Sequence, residues 1–314
     1  MAIRGNIVSA MSVGDVMKRL TITKSDVDEW TGEHVTDFKI KTTLEYADDL
    51  LKYYNGEFNQ GLSLGWSKTD DYFRVRMGEL TIVQGVSGSG KTMWLSQVTM
   101  YLLGTKKVMI ASLEMRPVLT LHRFVTQTAK TCEPTESYMH EILDRANEKL
   151  FIYDQEGTTT SYDMEAVVSY GKHVLGIDVF VIDSLMKMSD INEDNYDKQK
   201  NFVDRLAVMA RDLGVHIFLV CHTKKLSEDF DVPEANHILG SSHIRNLSDN
   251  VVAIWRNKHK ERRMANNELT DEEMRIIPDA KLCIQKQRNY IGENSEAIIN
   301  FWYDKKSLRY KERP

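Results

Sequence analysis

The residues best able to do chemistry in this 314-residue chain begin at Gly85, in the run GVSGSGKT that ends at Thr92. It follows a β-branched stretch, Leu80 to Gln84, and precedes a helix-length segment, the setting a phosphate-binding loop requires. Gly85, Gly88 and Gly90, with Ser87 and Ser89 between them, let the backbone fold round a triphosphate with its N–H groups turned inward. The helix start adds its dipole, Lys91 reaches the terminal phosphates and Thr92 offers a hydroxyl to magnesium. A second magnesium-side oxygen is expected from Asp183, which closes the apolar run DVFVID at a strand's carboxyl end.

Three further positions surround that chemistry. Glu114 ends KVMIASLE and precedes Pro117 at a plausible helix start; placed on the strand next to the phosphate loop, it could orient the water that attacks the γ-phosphate. A solvated acid favoured by the helix dipole is the plainer alternative. His222 ends VHIFLVCH, where an imidazole could register the γ-phosphate. From Thr223 to Ser248 runs a long connection carrying Lys224, Lys225, Gly240, Ser241, Arg245 and Asn246, donors of the kind a phosphodiester backbone uses; a solvated loop would share that composition. Downstream, Lys286 and Arg288 follow a strand, and a guanidinium fork suits the spreading charge of phosphoryl transfer, in its own or a neighbouring subunit. Arg256 and Tyr303 offer planar groups that could sandwich a base, while Phe301 reads as core.

The elements that must position these groups alternate. Runs at 80–84, 107–113, 178–183 and 215–222 are continuous and apolar, as strands covered on both faces must be, and helical stretches near 91–103, 118–130, 161–174 and 197–212 suit crossovers. The expected core is α/β with a mostly parallel sheet. Further strands are expected at 250–255, 281–285 and 296–303, the last two as a hairpin-like pair, with the polar insert 257–279 as a mobile surface loop. Residues 1–60 show helical spacing at Val13, Val16, Met17 and Leu20 and again at Leu44, Ala47, Leu50 and Leu51, which predicts a helical arm without a core of its own, ahead of an ATPase domain over 61–314.

Composition narrows the classes. With 42% hydrophobic and 28% charged residues the chain is globular, and a net charge of -5 argues against a protein that coats nucleic acid, so phosphate contacts must be local. Three cysteines without metal-ligand spacing indicate a reducing compartment. Apolar runs are strand-sized and the N-terminus lacks a signal-peptide core, so a cytoplasmic protein with no membrane partner is expected.

In order, GVSGSGKT, IASLEM, VFVIDS, LVCHTKK, GSSHIRNLSD and KQRNYIG resemble the motif series of replicative hexameric DNA helicases with a RecA-like core, the family of bacterial DnaB, phage primase-helicases and mitochondrial Twinkle. The resemblance covers roughly 60–310; a histidine at 222 is similar to the phage form, which implies a phage-encoded helicase acting in the host cytoplasm. It implies ATP, or another nucleoside or deoxynucleoside triphosphate, with Mg2+ at Lys91, Thr92 and Asp183, Glu114 as catalytic glutamate and His222 as γ-phosphate sensor. Lys286 and Arg288 would act on the neighbouring subunit's ATP as piston and finger, and Arg256 and Tyr303 would stack the base. Gly240, Ser241 and Arg245 would face single-stranded DNA, with Lys224 in a second central loop. Val13–Leu20 would dock on the next subunit of a homo-oligomeric ring, expected to be a hexamer moving 5′ to 3′. Primase and replicative polymerase are the further partners implied, although no zinc-binding or primase-type acidic pattern precedes the arm. The rival readings are a RecA-type recombinase, a regulatory ATPase of the same superfamily, and an adaptor that binds nucleotide only to hold a ring and load a partner.

Overall fold

The structure, a computed structural model, describes residues 42–55, 61–155, 158–192, 194–223, 233–234, 237–239, 243–289 and 296–313. The chain divides into two compact units, Met1–Glu45 and Tyr46–Pro314. The expected helix at 13–20 lies outside the described residues. The second expected arm helix forms as α1, Ala47–Tyr54, which buries none of its residues.

Nine strands form one sheet: β1 (Leu80–Gly85), β2 (Val108–Ser112), β3 (Leu150–Ile152), β4 (Val179–Asp183), β5 (His216–His222), β6 (Asn250–Arg256), β7 (Ala280–Gln287), β8 (Ala297–Asp304) and β9 (Arg309–Lys311). Their order is β3-β2-β4-β5-β1-β6-β7-β8-β9. The first six positions pair in parallel and the last three antiparallel. The helices are α2 (Ser67–Asp70), α3 (Lys91–Leu102), α4 (Pro117–Ala129), α5 (Glu136–Ala146), α6 (Ser161–His173), α7 (Tyr196–Leu213), α8 (His243–Leu247), α9 (Lys258–Ala265) and α10 (Asp271–Ile276).

Burial explains both the strands and their exceptions. Every residue of β1 and β4 is buried, as a strand between helical layers requires. In β5 and β6 the one residue not buried is the last, His222 and Arg256 respectively. These ends, with those of β2 and β4, form the carboxyl edge where α/β sheets place ligands.

Two expectations are corrected. The strand ending before Glu114 is not next to β1: β5 and β4 lie between β1 and β2. The apolar runs are alike in length and character, so their lateral order is not readable from them. Nor is the insert 257–279 a mobile loop; it folds into α9 and α10. Asn257 caps α9 by accepting from Lys260 N, and Thr270 with Glu273 makes a capping box on α10. Lys260 is almost fully buried beneath them, its Nζ 2.7 Å from Asp279 Oδ1 and donating to the carbonyls of Met274 and Ile277. A cation so desolvated is held only because each donor has a partner.

Candidate nucleotide site

The phosphate loop connects β1 to α3. Gly90 adopts φ +95°, and α3 begins at Lys91 with no side chain capping its first turn, so those N–H groups remain for an anion. Gly88, at φ +76°, and Ser87 form the exposed tip, while Ser89 is buried, its N–H donating to Val86 O at 3.1 Å. Lys91 Nζ curls back to donate to Gly85 O (2.8 Å) and Val86 O (3.1 Å). Burial pushes its pKa below the ordinary lysine value, against the opposing pull of Asp183 and Glu114.

Thr92 Oγ1 donates to Asp183 Oδ2 at 2.6 Å. Burial raises the pKa of Asp183, only partly offset by the Thr92 bond, so this carboxylate would gain from a cation. A hydroxyl beside a desolvated carboxylate is an oxygen-only donor set, which fits Mg2+ completed by phosphate oxygens and water. Among the described residues no group of three or more His, Cys, Asp or Glu could cage a metal unaided.

Although two strands away from the neighbour of β1, Glu114 reaches this edge. Its Oε1 accepts from Ser184 Oγ at 3.0 Å and lies 3.3 Å from His222 Nε2. Burial would raise its pKa, but the bonds from Ser184 and His222, with the charge of Lys187, leave it lowered. It is thus held as an acceptor and not merely solvated. Ser184 was not singled out by sequence reasoning; its place directly after Asp183 was the available signal.

On the other side of the loop, Arg256 and Tyr303 line one pocket with Gly90, Met93, Glu261 and Tyr310. Arg256 donates from one arm to Gly88 O (3.3 Å) and from Nε to Glu261 Oε1. Buried Gln97 of α3 fixes β9 here: its Oε1 accepts from Tyr310 N at 2.8 Å and its Nε2 donates to Tyr310 O at 3.1 Å. Phe301 is core, as expected, 5.0 Å from the Trp66 ring.

Lys286 and Arg288 are not brought to this loop. Arg288 N donates to Asp249 O and Asp249 N to Leu80 O, which sets Arg288 level with the start of β1. Five residues separate Leu80 from Gly85, roughly 17 Å at the usual strand rise. Instead Lys286 Nζ donates to the carbonyls of Arg245 (2.6 Å), Asn246 (3.2 Å) and Ser248 (2.5 Å). Arg288 donates to Asn246 O (2.8 Å) and pairs with Asp249 (3.2 Å). Both therefore cap the C-terminal end of α8, on which Arg245 and Asn246 are exposed. Burial, then Arg288, lowers the Lys286 pKa to about 8. Lys224, Lys225, Gly240 and Ser241 lie outside the described residues.

A phosphate loop, an acid ending β4 and a polar cluster along the carboxyl edge of a mostly parallel sheet define a RecA-like P-loop ATPase domain. Residues 73–228 match the AAA domain family model. Over 296 residues the chain is 23% identical to the chloroplastic/mitochondrial Twinkle homolog protein of Arabidopsis thaliana, covering 86% of this chain and 39% of that one. The chain thus spans about two fifths of that curated relative. Among solved structures, an ATPase domain determined on its own has a TM-score of 0.68 at 13% identity, covering 86% of this chain and 99% of that one. A DnaB-like replicative helicase, described with its interactions with primase, has the same TM-score and identity, covering 95% of this chain and 71% of that one. The chain carries a helicase-family domain of the DnaB and Twinkle type. Among the described residues no helix is long and apolar enough to cross a membrane.

Proposed function

We propose that the chain is the motor of a ring-forming replicative DNA helicase, hydrolysing ATP between subunits and moving 5′ to 3′ along single-stranded DNA to unwind duplex. The observation that carries this reading is the separation of Lys286 and Arg288 from their own phosphate loop, together with their bonds to the α8 carbonyls. Cations that complete a neighbour's site while capping the DNA-facing helix would tie nucleotide state to DNA contact. The assembly would be a hexamer, with primase and replicative polymerase as further partners.

In this mechanism the α3 N-terminus and loop N–H groups bind the phosphates, and Lys91 leaves the carbonyls of Gly85 and Val86 for the terminal phosphates. Thr92 and Asp183 would hold Mg2+, which when bound neutralises charge on the phosphate oxygens. Glu114, held through Oε1 by Ser184 and His222, keeps its second oxygen to orient the attacking water and accept its proton. His222 begins the connection that leads to α8, so loss of the γ-phosphate would be felt at Arg245 and Asn246.

The test is ATP turnover of the purified chain with and without single-stranded DNA, with particle mass recorded in parallel. DNA stimulation in a ring-sized particle is expected; DNA-independent turnover by a monomer would favour the regulatory or adaptor readings. Binding through phosphates should also weaken steeply with salt.

A further inference from the structure

The pocket beside the phosphate loop has one acceptor unspent. Asp279, on its wall, is committed: Oδ1 to Lys260 at 2.7 Å and Oδ2 to Tyr303 N at 2.8 Å. Glu261 Oε1 takes Arg256 Nε, while Oε2 has no hydrogen bond among the described residues. Arg256 is a donor only, with Nε and one arm already used. Nor is Glu261 a wandering surface acid. It sits on α9, which is clamped by Lys260 and by Asn257, whose backbone N–H donates to Asp279 O and whose side chain donates to Pro278 O.

We propose that Glu261 selects the base of the triphosphate, accepting through Oε2 from the exocyclic amine of a 6-aminopurine and disfavouring a 6-oxopurine. This rests on the reading that the pocket of Arg256 and Tyr303 holds the base. An oxo group facing Oε2 would set two acceptors against each other, whereas an amine completes the pocket's hydrogen bonding. Sites that bond a substrate N–H reject the analogue lacking it far more strongly than apolar pockets reject a missing methyl.

The variant Glu261→Gln keeps the shape and the acceptor Arg256 needs. Because Arg256 Nε must face the amide oxygen, the amide NH2 is turned toward the base. It would then donate to an oxo group and oppose an amine. The experiment compares kcat/KM for ATP, inosine triphosphate and purine riboside triphosphate, without DNA, in the unaltered chain and in E261Q. The unaltered chain is expected to favour ATP over both analogues by about tenfold or more, the range of a hydrogen bond to a charged group. In E261Q the preference for ATP over inosine triphosphate should vanish or invert. Equal use of all three by the unaltered chain, or an unchanged preference in E261Q, would overturn the assignment while leaving the phosphate site intact. Failure to hydrolyse any of the three would remove the nucleotide reading beneath it, and the assignment with it.

Discussion

Replacing His216 with Asn should flatten the acid limb of the stability profile. His216 opens β5 fully buried, with Nδ1 2.6 Å from Arg76 O and Nε2 without a partner among the described residues. Its ring packs on Phe218 at 4.5 Å. Burial, reinforced by the Arg76 charge and only partly opposed by the bond to Arg76 O, lowers its pKa from 6.5 to about 4. The folded chain therefore resists a proton that the unfolded chain accepts, so the contribution is complete above pH 6.5 and is lost as pH falls toward about 4. Between pH 8 and pH 5 the unfolded state gains nearly one proton over about 1.5 pH units, a loss of about 2 kcal/mol. Urea unfolding of both chains at these two pH values isolates the term, since other titrating groups are common to both. A fall in stability about 2 kcal/mol larger for the unaltered chain is expected. Equal pH dependence would refute the assignment of a neutral, desolvated His216.

The remaining predictions concern the nucleotide site. Glu114→Gln should lower kcat by about 10²–10⁴ with nucleotide binding retained, as measured by calorimetry beside steady-state turnover. Ser184→Ala removes the 3.0 Å bond to Glu114 and should lower kcat roughly tenfold. Because that bond helps depress the Glu114 pKa, the acid limb of the rate profile should move to higher pH in S184A; an unmoved limb would leave Ser184 without its positioning role. Gly90→Ala forces a side chain into φ +95° and against the Tyr310 hydroxyl. Triphosphate affinity should fall about tenfold or more while the circular dichroism spectrum is kept.

What the sequence disclosed follows from how local each signal is. The phosphate loop is contiguous, and Gly85, Lys91 and Thr92 stand where eight residues placed them. Buried parallel strands announce themselves as apolar runs, so β1, β2, β4 and β5 were legible to within a residue or two. β3 and β9 were not, since three residues carry no period. α5 was missed too, although Thr135 accepts from Tyr138 N as a cap. Partnership across the sheet is not local at all: that Glu114 meets His222 depends on β4 and β5 lying where they do. Polarity misled at 257–279, because charge suggested a loop while the cap Asn257 and the Thr270–Glu273 box marked helices. Glu261 was hidden for the same reason.

Mixing two inactive chains tests the central claim most directly. Arg288→Ala retains an intact phosphate loop and Glu114, while Glu114→Gln retains Arg288. If each site is completed across a subunit boundary, an equimolar mixture assembled together should recover DNA-stimulated ATP turnover that neither variant shows alone, because some boundaries then join an intact Glu114 to an intact Arg288. A mixed assembly that stays as inactive as its components, or an Arg288→Ala chain that turns over normally by itself, would contradict the account.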